Sequence, residues 1–137
     1  MRVLAVGLML FANSVFALDN TDIGSYAIVH SDGHITDKVF RVLYSELKWK
    51  IEDQKPDGSW QDVTCGAECV LVESTPVDIE HFLIPKPPEN ITATCVHNKA
   101  FAFCRVSSLV NPSIREYAMI VLTEAQPILI TLARVAK

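Results

Sequence analysis

The chain has 137 residues, half of them hydrophobic, with 16 acidic against 12 basic side chains and a net charge of −4. That balance excludes a general electrostatic attraction to nucleic acid or to an anionic membrane, and it would steer a basic partner towards the protein. The length suits one domain, which buries roughly two-thirds of its unfolded surface.

The N-terminus has the layout of a secretory signal. Arg2 gives a positive start, Val3 to Phe11 is an unbroken apolar run, and Val15-Phe16-Ala17 places small residues where a signal peptidase reads. The run is far shorter than the roughly 20 residues that cross a bilayer, so a membrane anchor is not expected. Cleavage is expected after Ala17. No cysteine stands at that cleavage point, which disfavours a lipoprotein anchor. Removal of residues 1–17 takes away only the charge of Arg2. The single exported domain, residues 18–137, then has 120 residues and a net charge of −5. The expected location is a periplasm or the extracellular space.

Along that domain, Leu18 to Ile23 is polar and is expected to fray. Tyr26 to His30 reads as a strand closed by the turn Ser31-Asp-Gly-His34, and Val39 to Tyr44 is rich in β-branched and aromatic residues. In Leu47 to Asp53, Leu47, Trp49 and Ile51 alternate with Lys48, Lys50 and Glu52, the period of a strand with one buried and one wet face. Lys55-Pro-Asp-Gly58 has the residues of a tight turn, so Trp60 to Thr64 is predicted to return antiparallel. Val70 to Val72 extends the β pattern.

One helix is predicted over residues 76–83. Thr75 supplies the capping hydroxyl, Pro76 the first helical position and Asp78 an acid near the positive end of the dipole. Pro85 to Pro88 ends it as a stiff extended linker. Ile91 to Val96 and Phe101 to Val106 then flank a short loop. Tyr117 to Leu122 and Ile128 to Leu132 form a closing hairpin, with Glu124 and Pro127 arguing against a membrane span. The fold class is mainly β: an antiparallel sheet, as a small sandwich or half-open barrel, with one short helix.

All four cysteines, Cys65, Cys69, Cys95 and Cys104, lie in the exported part, and an even number in a small exported domain reads as disulfides. A zinc site needs closely spaced thiolates kept reduced, and Cys95 and Cys104 are too far apart for a second knuckle. A redox pair normally has two intervening residues at a helix start, whereas Cys65 and Cys69 are separated by three and precede a strand. If the second hairpin has a two-residue loop at Lys99-Ala100, Cys95 stands opposite Cys104, which leaves Cys65 to pair with Cys69 across Gly66. Each short loop would contribute roughly 2–3 kcal/mol. A different loop register leaves the two crossed connectivities open.

Histidines His30, His34, His81 and His97 sit in no recognised catalytic frame, and no nucleophile elbow, zinc-protease helix or phosphate loop is present. Neither a catalytic residue, a metal ligand nor a cofactor is therefore assigned. Trp49 and Trp60 fall on the two arms of the 47–64 hairpin. They serve either as core packing or as an aromatic patch rimmed by Asp53, Asp57 and Asp62. Asn90-Ile-Thr92 is a glycosylation sequon if the chain comes from a eukaryote. The function expected is capture of a protein partner, as an inhibitor or immunity protein neutralising a basic toxin or hydrolase, with those five residues as contacts. The alternatives are a carbohydrate or small-ligand module using the same aromatics, and a small secreted hydrolase.

Overall fold

The computed structural model describes residues 17–64, 70–84 and 86–135. A short 3-10 turn, Asn20–Asp22, leads into strands β1 (Gly24–Val29), β2 (Ile35–Ser45), β3 (Lys48–Gln54), β4 (Trp60–Asp62) and β5 (Val72–Glu73). Helix α1 (Pro76–Phe82) follows, and then β6 (Ile91–His97), β7 (Phe101–Ser108), β8 (Arg115–Val121) and β9 (Ile128–Val135). The fold is mainly β, as the alternation and turn residues predict.

The strands form one antiparallel sheet in the order β4-β3-β2-β1-β9-β8-β7-β6-β5. Its two flanks are joined by a bridge between Trp49 and Leu71. The segments Trp60–Asp62 and Val72–Glu73 therefore pair with opposite flanks of the sheet. The first pairs with β3, Val63 donates to the Ile51 carbonyl, and the second pairs with β6. The sheet thus curls into a barrel whose seam is closed at that bridge.

Side chains alternate between faces along a strand. The pairings Tyr26↔Phe40, Val42↔Ile51, Val96↔Phe103 and Tyr117↔Leu132 put all eight residues on the inner face, where they form the main core with Leu18 and Leu71. A second cluster lies outside the barrel wall. There α1 lays Phe82 and its C-cap Leu83 over Cys95, Ala102, Cys104 and Ile120. The helix starts as its sequence dictates. Thr75 Oγ1 accepts from the Asp78 amide while Asp78 returns a bond to the Thr75 amide.

Three sequence expectations need correction. Leu18 to Ile23 is not frayed: Leu18 is in the core, and Asp22 is wholly buried. Leu47 does not sit on the buried face of β3. Ser45 pairs with Lys48, so Glu46 and Leu47 are the two turn residues, both in the left-handed region (φ 55° and 65°), and Leu47 is 87% exposed. Val70 to Val72 is a weaker strand than predicted, because only Val72–Glu73 belongs to β5 and Leu71 contributes the bridge.

Asn98 N–H donates to the Phe101 carbonyl across a two-residue loop, and the register places Cys95 opposite Cys104, which are disulfide-bonded. The two-residue loop thus sets Cys95 opposite Cys104, as its length predicts. The Cys65–Cys69 pairing lies outside the described residues. Among the described residues no helix is long and apolar enough to cross a membrane. The disulfide and the absence of such a helix are compatible with an extracellular location.

Candidate functional site

A hollow of about 850 Å³ lies between α1, the segment Lys86-Pro87-Pro88 and β6. Its origin is a missing neighbour. β7 pairs with the whole of β6, but β5 covers only Val96 and His97, and the Ser74 amide adds one bond to the Cys95 carbonyl. Among the described residues no strand pairs with Ile91 to Thr94 on the side away from β7. In an antiparallel ladder, main-chain groups point alternately to the two neighbours. With Asn98 bonded to Phe101, even-numbered residues of β6 face β7, and the N–H and C=O of Ala93 face the hollow. Ile79 and Leu83 of α1 form one apolar wall, Pro87 and Pro88 the other, and Glu80, Lys86 and Glu89 stand at its rim. The sequon residue Asn90 is exposed at the foot of β6, where its carbonyl accepts from the Leu109 amide.

The hairpin expected to carry the contacts is divided by the sheet. Gln54 pairs with Trp60, which places Trp60 and Asp62 on the outer face with Glu52. Trp49 and Asp53 point to the opposite face. Trp49 packs against the core and meets the Tyr44 ring edge-on at 5.0 Å. The two tryptophans thus do not form one patch. Trp60 instead has the Arg41 guanidinium 4.3 Å above its ring, and Arg41 is ion-paired to Glu52 at 2.6 Å. One face of the Trp60 ring is occupied in this way.

Asp62 shares the outer face with Trp60, and Asp57 is exposed in the turn between β3 and β4. Hydrogen bonds from the Ser59 hydroxyl and amide hold the Asp57 carboxyl below its usual range, and those from the Thr64 hydroxyl and amide do the same for Asp62. Both remain charged into mildly acid conditions. Trp60 and Asp62 thus lie on one face and Trp49 and Asp53 on the other, a division that sequence alone does not give because register decides the face.

A buried ionic knot closes the end of the barrel next to this groove. The Asp22 carboxylate accepts from Arg105 Nη1 at 2.7 Å, from the Tyr117 hydroxyl at 2.8 Å and from the Asp19 amide at 2.8 Å. Arg105 also donates to the Ala17 carbonyl, and Arg134 donates to the carbonyls of Thr21 and Ile23 at 2.6 Å. Gly24 leaves room for that arginine, since a Cβ there would lie 2.9 Å from Arg134 Nη2. The knot fixes the first residues after the expected cleavage point onto the barrel. Its one signal in the sequence is Arg105, a charge at an inward position of the apolar run Phe101 to Val106.

Burial pushes the Tyr26 hydroxyl well above its ordinary range, and burial with the bond to Asp22 raises Tyr117. Folding favours the neutral phenols, so their contribution is complete below the unfolded value of about 10 and is lost as pH rises above it. Urea midpoints are therefore expected to fall above about pH 10, and Tyr26→Phe is expected to make that fall shallower. Equal slopes for the two proteins between pH 9 and 11 would refute the assignment.

No protein-family model, curated protein or solved structure matches this chain.

Proposed function

We propose that the protein is an exported, disulfide-stabilised barrel that binds and neutralises a protein partner, as an inhibitor or immunity protein does with a toxin or hydrolase. The observation supporting this reading is the uncovered edge of β6 within an apolar groove. The Ile91 N–H is bonded to the Pro88 carbonyl and the Cys95 carbonyl to the Ser74 amide, so between them the N–H and C=O of Ala93 are open to another main chain, and the fitting occupant is an extended segment of the partner added beside Ala93. The walls formed by Ile79, Leu83, Pro87 and Pro88 would receive alternate side chains of that segment. Glu80 and Glu89 at the rim, with the acidic balance of the whole chain, favour a basic partner. Trp60, Asp57 and Asp62 would be secondary contacts at most.

The test captures a stoichiometric partner from extract of the native host and measures amide exchange at Ala93 in the free and bound protein. Slowed exchange is expected on binding. The double change Glu80→Lys and Glu89→Lys is expected to weaken the complex about tenfold, or ~1.4 kcal/mol. Unchanged Ala93 exchange in a complex that Trp60→Ala disrupts would move the contact to the hairpin and overturn the groove assignment.

A further inference from the structure

At the other end of the barrel, the turn between β1 and β2 brings His30, Asp32 and His34 together. One ligating atom from each lies within 4.8 Å of the others. His34 Nδ1 is 3.0 Å and His30 Nδ1 3.5 Å from the same oxygen, Oδ1 of Asp32, and the two imidazoles stack with centroids 5.3 Å apart. All three side chains are exposed, so no barrier separates them from an ion in solution.

The turn is built to hold this arrangement. His30 N–H donates to the His34 carbonyl at 2.8 Å, Gly33 N–H donates to the His30 carbonyl at 2.8 Å, and Asp32 Oδ1 accepts from the His34 amide at 3.0 Å. Gly33 takes the positive φ of 93° that the reversal requires. The backbone bond between His30 and His34 makes them directly opposed residues, which fixes both imidazoles on the same side of the ribbon.

We propose that His30, Asp32 and His34 form a binding site for a divalent transition metal, of the class of Zn²⁺, Cu²⁺ or Ni²⁺. Two imidazoles and one carboxylate are the ligand chemistry these borderline ions select, whereas calcium and magnesium take oxygen sets. Tetrahedral ligands about 2.1 Å from zinc lie ~3.4 Å from one another. The present spacing of the three donors reaches that by small rotations of exposed side chains. Three protein ligands leave at least one position for water or for a donor from another molecule. The site stands at the end opposite the ionic knot and is independent of the partner groove.

The test is a calorimetric titration of chelator-treated protein with Zn²⁺, Cu²⁺ and Ni²⁺ in turn, alongside the histidine side-chain NMR spectrum during the Zn²⁺ titration. One equivalent per chain is expected. His30 and His34 resonances should shift, while His81 and His97 stay in place. His30→Ala with His34→Ala should weaken binding at least about 100-fold, and Asp32→Asn about tenfold. Near-UV circular dichroism checks that the variants fold. The wild-type NMR readout identifies the ligands even if one variant does not. The absence of binding by all three ions at millimolar concentration would overturn the proposal. So would shifts at His81 or His97 in place of His30 and His34, or equal affinity in the double variant.

Discussion

Replacement of Asp22 by alanine is expected to destabilise the protein by about 3–5 kcal/mol, read as a lowered urea midpoint with an unchanged slope. The carboxylate has no exposed surface, and it collects Arg105, the Tyr117 hydroxyl and the Asp19 amide. Removing it leaves the guanidinium of Arg105, itself only 5% exposed, among apolar neighbours with its best partner gone. An unpaired buried charge costs more than the pair contributes, because the desolvation of the survivor is no longer offset. The comparison that separates these effects is Asp22→Leu combined with Arg105→Met, which removes both charges and fills their volume. The double variant is expected to recover more than half of the loss. Equal destabilisation in single and double variants would mean that shape, and not charge, holds this end of the barrel.

The knot also shows where sequence reading runs out. Asp22 and Arg105 are 83 residues apart, and Asp22 and Tyr117 are 95 apart. No local pattern connects residues at that separation. The segment Leu18 to Ile23 looks frayed because its polar residues show no long-range partner in the sequence, but Asp19 caps the 3-10 turn, Arg105 of β7 donates to the Asp22 carboxylate and Arg134 of β9 donates to the Thr21 and Ile23 carbonyls. Local signals fared better wherever backbone chemistry decides the outcome. The Thr75–Asp78 capping box, the Gly58 turn and the two-residue loop ahead of Phe101 are each specified by neighbours in the chain. The hairpin carrying Trp49 and Trp60 lies between these cases. Its existence follows from Lys55-Pro-Asp-Gly58, but the pairing of Gln54 with Trp60 determines that the two rings face opposite sides. Shifting a register by one residue moves every side chain to the other face. The candidate groove is legible only from the sheet, since it exists because β5 is too short to cover β6.

The second large effect is expected from Phe103→Ala, at about 3–5 kcal/mol, and its contrast with Phe82→Ala tests how the two apolar clusters divide their work. Phe103 is completely buried inside the barrel, edge-on to Tyr26 at 5.1 Å and stacked on Tyr117 at 5.7 Å. Its neighbours belong to strands fixed by hydrogen bonds on both sides, so they cannot collapse into the space and the cavity term adds to the lost transfer energy. Phe82 lies outside the wall on a seven-residue helix, near the surface and edge-on to His97 at 5.2 Å. Helix α1 can shift to refill that space, so Phe82→Ala is expected to cost less than about 3 kcal/mol. Its effect should be local. Amide exchange should speed up in α1 and leave β7 and β8 unchanged, whereas Phe103→Ala should raise exchange throughout the barrel. Because α1 forms one wall of the β6 groove, Phe82→Ala should also weaken partner binding at temperatures where the barrel is intact. A Phe82 variant that binds normally while its helix exchanges freely would separate α1 from recognition and leave the strand edge alone as the binding element.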